Sequence, residues 1–175
     1  MQTSQNSHFH HSVGWAEFYK LPELGKYLRE LSDYFGLGTL PKGLSNAEIL
    51  QHLSAQSGGA DEVPDFESQG KFEHESRYYE QIIYQDKTVP TREDSWHDFF
   101  NGLIWLLFPK TKHLLNQLHT RDITEFGLNP RTPLRNLITH FDECGLILIA
   151  MSAHALAISA MLAEHRWHEE ADVKN

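Results

Sequence analysis

The chain has 175 residues, 40% hydrophobic and 22% charged, with a formal net charge of −9. That length and balance suit one globular domain with a real core and exclude wholesale disorder. The charge argues against nonspecific nucleic-acid binding, which needs a basic footprint, and a lone cysteine, Cys144, excludes an internal disulfide and suits a reducing cytoplasm.

The first residues, MQTSQNSHFHHS, lack the basic-then-apolar order of a secretory leader. Residues 1–14 are expected to be a flexible end, 15–170 a single globular domain and 171–175 a tail. His8, His10 and His11 would trap a stray metal ion there without bearing on function. Leu24, Tyr27, Leu28, Leu31 and Phe35 recur at helical spacing, with Pro22 in the first turn and Gly36 as a stop. Ser45 and Glu48 form a capping-box pattern ahead of Ile49, Leu50 and Leu53, which predicts a second, short helix. Residues 57–70, Gly-rich and acidic, read as a loop. RYYEQIIYQ, residues 77–85, is aromatic and β-branched and reads as a strand, with a turn near Asp86-Lys87.

Ser95 followed by Asp98 predicts the cap of a third helix, running to Phe108, where Pro109 interrupts it. A further helix covers roughly Thr111 to Thr120. Asn129-Pro130 is a cap and first-turn pair for the next, with Leu134, Leu137, Ile138 and Phe141 on one face. Residues 145–163 carry no formal charge over a near-spanning length, but their Ala/Ser content, His154 and acidic flanks disfavour a membrane span. A buried strand, Leu146 to Met151, and a helix capped by Ser152 fit better. The sum is about six helices and two or three strands without βα alternation or internal repeats: mostly α, or α+β with a small two- or three-stranded sheet.

The stretch 91–119 is the densest in polar side chains set beside apolar ones. At about 100° per residue, Phe99, Phe100, Leu103, Ile104 and Leu107 cover most of the third helix. The sector left over carries His97, Asn101 and Trp105, with Asp98 beside it, and on the next helix Lys112, Asn116 and His119 share a face. With Pro109 turning the chain between them, the two polar faces are expected to oppose each other as a paired network, because buried polar groups persist only when paired. Each member also has a plainer reading: Asp98 as a helix-capping carboxylate, His97 as a satisfied core histidine, Asn101 and Asn116 as structural hydrogen-bonders, and Lys112 as a surface lysine.

Tyr79-Glu80, Val89-Pro90-Thr91-Arg92, Trp96-His97-Asp98, Phe100-Asn101, Trp105, Phe108-Pro109, Lys112, Leu115-Asn116, His119 and Phe141-Asp142-Glu143 with Gly145 form a long pattern. It resembles that of an uncharacterised bacterial family, domain of unknown function 3025, over most of residues 15–167 and most sharply from Tyr79 to Gly145. The resemblance implies a soluble bacterial protein whose relatives often run on past the segment HRWHEE. It implies no reaction, cofactor or catalytic residue.

Two functions from different classes fit the residues. The first is a site for an anionic or metal-bound small ligand, with hydrolysis as its chemistry. Arg92, Asn101, Lys112 and Asn116 would bind, and His97, His119 and Asp98 would act as acid, base or orienting group. A divalent metal on His97, Asp98 and His119 is the weaker variant, since no HExxH-type spacing exists and adjacent helical residues diverge by about 100°. The second is a non-enzymatic interaction or scaffold domain, with the stripe as a structural network and Tyr78, Tyr79 and Tyr84 on a partner-binding face. Nucleic-acid binding rests only on the basic concentration Lys110, Lys112, Arg121, Arg131 and Arg135, without a motif. Cys144 follows two carboxylates, which disfavour a thiolate, and reads as structural.

Overall fold

The computed structural model describes residues 26–57, 62–93, 95–145 and 151–165. Among them are seven α-helices and one two-stranded parallel sheet, so the chain is α+β with helix dominant. The elements are α1 (Lys26–Tyr34), α2 (Asn46–Gln56), β1 (Asp65–Ser68), α3 (Tyr79–Asp86), β2 (Thr88–Thr91), α4 (Trp96–Leu107), α5 (Pro109–Phe126), α6 (Pro133–Cys144) and α7 (Ser152–Ala163). The chain divides between Ile138 and Thr139 into two units, and every candidate site residue lies in the first.

In the first unit α1 closes at Gly36, whose φ of 63° is a left-handed value that glycine adopts without penalty. α2 starts as its sequence predicts. Ser45 Oγ accepts from Glu48 N at 3.3 Å, and the Glu48 carboxylate accepts from Ser45 N at 2.8 Å. Ile49, Leu50 and Leu53 then face inward onto Phe66, Val89, Phe99 and Leu103. Gly102 lets α2 and α4 approach closely, since a Cβ there would sit 2.3 Å from Leu50 Cδ1.

The sheet pairs Asp65 with Thr88 and Ser68 with Thr91. A parallel pair needs a crossover, and a 3-10 turn (Gln69–Phe72) and α3 supply it. Residues 77–85 are therefore not a strand, and the predicted loop 57–70 holds β1. The aromatic, β-branched composition of 77–85 suits either state. Tertiary packing selects the helix: Ile82 and Ile83 are buried together, and Gln81 Oε1 accepts from Tyr78 N at 3.0 Å at its start. The turn expected at Asp86-Lys87 is the helix end, with Lys87 at φ 55° and its N–H on Ile83 O.

Each outer edge of the sheet is blunted at one position. Asp65 N bonds to Lys87 O, so by parallel alternation Phe66 and Pro90 turn their backbone groups outward. The Gln51 side chain accepts from Phe66 N at 2.8 Å, and Pro90 has no N–H to offer.

α4 begins with Ser95 Oγ accepting from Asp98 N at 3.1 Å, the predicted cap. The reciprocal half of the box is absent because the Asp98 carboxylate is engaged elsewhere. The buried face comprises Phe99, Gly102, Leu103 and Trp105, whereas Ile104, expected inside, is exposed. Pro109 does not merely interrupt the helix; it occupies the first position of α5, which runs past Thr120 to Phe126. Asn129-Pro130 does not cap α6. That helix begins at Pro133, and Thr132 Oγ1 accepts from Arg135 N at 3.0 Å. Its buried positions are Arg135 and Ile138, while Leu134, Leu137 and Phe141 are exposed.

In the second unit Met151 rather than Ser152 is the cap residue of α7, its carbonyl accepting from His154 and Ala155 N–H groups. The strand expected at 146–151 lies outside the described residues, apart from Met151, which is in no strand. Among the described residues no helix is long and apolar enough to cross a membrane.

Candidate functional site

The polar stripe of α5 is real, and it is longer than its sequence spacing suggested. Lys112, Asn116, His119 and Thr120 are all buried along one side of the helix. Lys112, only 6% exposed, donates to Asn101 Oδ1 at 2.8 Å and lies 5.5 Å from the Trp105 ring centre. A lysine can only donate, so the Asn101 oxygen is fixed toward Lys112 and its amide nitrogen toward the Tyr79 hydroxyl, 3.3 Å away. One turn further along α5, Asn116 Nδ2 donates to both the carbonyl and the carboxylate of Glu80, at 2.8 and 2.7 Å. Thr120 Oγ1 reaches the same carbonyl at 3.3 Å. α5 thus clamps α4 through Lys112 and the first turn of α3 through Asn116 and Thr120.

The sequence reading of two opposed polar faces holds for Asn101 and Lys112 and fails for His97. His97 is 69% exposed, on the outer side of α4's first turn. Its Nδ1 lies 3.0 Å from Asp98 Oδ1. Arg92, 62% exposed, donates to the same carboxylate through Nε and Nη2, both at 2.8 Å, and through its backbone N–H at 3.0 Å. Asn46 fixes this turn from α2, its amide donating to the Arg92 and Ser95 carbonyls at 3.2 and 3.1 Å. Burial raises the Asp98 pKa, but the hydrogen bonds from Arg92 and His97 outweigh it and hold the carboxyl well below the usual range. Trp105, expected on the polar sector, is buried in the core, with its ring edge-on to His113 at 5.1 Å.

The seven predicted site residues therefore fall into two groups. Arg92, His97 and Asp98 form an outward cluster. Asn101, Lys112 and Asn116 belong to the buried clamp, and His119 is buried on the same stripe. Tyr79, Glu80 and Thr120 were missed as members. Glu80 was hidden by assigning it to a strand, while Thr120 continues the four-residue spacing of Lys112 and Asn116 and was legible. A second buried set was missed entirely. Arg135 and Asp122, each with a side chain 2% exposed, lie 3.6 Å apart; Thr132 Oγ1 donates to Asp122 at 2.5 Å. Arg135 also donates to the carbonyls of Gly127, at 2.9 Å, and Leu128. Two of the five cations counted as a basic concentration, Lys112 and Arg135, are thus inside the protein.

Among the described residues no group of three or more His, Cys, Asp or Glu side chains could hold a metal ion. A shallow groove of about 710 Å³ runs along α2 and β1, floored by Ala47, Ala55 and Phe66 and rimmed by Glu48, Glu93 and Lys71; it touches none of the predicted site residues.

A family model described as "Protein of unknown function (DUF3025)" matches residues 65–171, a span that holds both the clamp and the outward cluster. The chain belongs to this family. No curated protein and no solved structure matches it.

Proposed function

We infer that this family member is a non-enzymatic interaction domain whose polar stripe locks α3, α4 and α5 together. The observation that carries this reading is that the polar ends of Lys112 and Asn116 are taken up by neighbouring helices. The Lys112 ammonium meets Asn101, and the Asn116 amide meets both acceptors of Glu80. A catalytic pocket keeps such donors aimed at a place where substrate charge develops; here they are directed at neighbouring helices. Large apolar side chains at the α4–α5 corner, Ile104, Phe108 and Leu114, are exposed, as partner surfaces often are.

The reading of an anionic-ligand site, with hydrolysis at His97, His119 and Asp98, is supported only by the outward Arg92–Asp98–His97 cluster. The two separate in a thermal-shift screen of the whole chain against inorganic phosphate, pyrophosphate, nucleotides and divalent metals. The interaction-domain reading expects no saturable shift, and expects Lys112→Ala to lower stability by about 3–5 kcal/mol through the lost partner and stem. A saturable shift that disappears in a folded, undiminished Lys112→Ala protein would overturn it.

A further inference from the structure

Asp98 is held ionised, so the His97 nitrogen facing it, Nδ1, carries the proton and donates. In a neutral ring the lone pair then falls on Nε2, the nitrogen on the other side of this exposed imidazole. An aspartate on Nδ1 does two things for such a ring: it fixes the tautomer and stabilises the positive charge that develops when Nε2 forms a new bond. Arg92 sits on the same carboxylate through two 2.8 Å hydrogen bonds and offsets the repulsion that Asp98 would exert on an incoming anion. His113 is placed differently, with Nε2 at 2.8 Å from the Glu62 carbonyl, and His119 is buried.

We propose that His97 is a phosphoryl-acceptor histidine, modified at Nε2 by a small donor of the phosphoramidate or acyl-phosphate class. Nε2 attacks phosphorus, and the donor's P–N or P–O bond breaks. The leaving group departs with the bonding pair, as ammonia or as a carboxylate. The ring is left cationic, with its Nδ1 proton still donated to the Asp98 carboxylate that stabilises it. The product places about two negative charges in the first turn of α4, where the helix dipole favours them. This goes beyond the interaction-domain reading and does not depend on it, because it needs an accessible nucleophile rather than a pocket.

The test is to treat the whole protein with phosphoramidate near neutral pH, map the labelled peptides by mass, and identify the isomer by 31P NMR in alkali, where phosphohistidine survives. His97 should be labelled about tenfold faster than the exposed His74 and His140, below the roughly 100- to 10,000-fold that positioned acid–base groups reach in enclosed sites. The wild-type product should be the Nε2 isomer alone. His97→Gln should remove the fast label and leave the slow background. Asp98→Asn should slow the reaction and admit the Nδ1 isomer, a change of product that a purely structural role for Asp98 would not cause. If Asp98→Asn does not fold, the wild-type rate and isomer decide the matter. Labelling of His97 no faster than His74 and His140, or an isomer mixture in the wild type, overturns the proposal.

Discussion

Replacing Lys112 with methionine tests the clamp directly. The side chain is 6% exposed, so methionine retains most of the stem's contact with Trp105 while removing the ammonium that donates to Asn101 Oδ1. A hydrogen bond involving a charged partner contributes about 1.5–3 kcal/mol, and the half-buried Asn101 oxygen is left without the donor it had. The expected loss is therefore about 2 kcal/mol, or a urea midpoint lowered by roughly 1 M at ordinary slopes for a protein of this size. Burial of Trp105 provides the fluorescence signal for the transition. The pair should also be coupled: Asn101→Leu combined with Lys112→Met should cost about 1 kcal/mol less than the sum of the single changes. A Lys112→Met protein within about 0.5 kcal/mol of wild type, the range of an ordinary surface change, would refute the view that this lysine is a structural partner.

Other perturbations follow the same physics. The depressed Asp98 carboxyl contributes stability in full above its unfolded pKa of about 3.9 and loses it as pH falls through the lower folded value. Stability measured from pH 5 downward should thus decline less steeply in Asp98→Asn than in wild type, and parallel curves would contradict the assignment. Arg135→Met leaves the Asp122 carboxylate buried without its cation and should cost about 3–5 kcal/mol, part of which Asp122→Asn in the same chain restores; denaturant titration of the two variants beside wild type checks this. Gly102→Ala gains roughly 1 kcal/mol of helix propensity but drives a methyl into Leu50, for a net loss of about 1–2 kcal/mol. In that background Leu50→Ala should cost less than it does alone, and equal costs would show that α2 and α4 have room to move apart.

Several features of this fold were legible because they depend on neighbours in the chain. The Ser45–Glu48 box, the Ser95 cap, Gly36 as a stop and the four-residue spacing of Lys112 and Asn116 all use local hydrogen bonds or one helix face. The family pattern was readable for the same reason, as an order of residues that needs no coordinates. Residues 77–85 were not legible. Their composition suits strand and helix alike, and the choice came from packing Ile82 and Ile83 inward while Asn116 and Thr120 grip Glu80 from far along the chain. The same holds for β1, whose four residues become a strand only because Thr88–Thr91 lies alongside. His97 shows the limit most sharply. Helical periodicity places it one turn from Asn101 on the same side of α4, yet only Asn101 reaches Lys112, while His97, a turn further from the α4–α5 corner, is exposed beside Asp98. Spacing along a chain sets which side chains share a face; the free energy of burying the rest sets which way that face points.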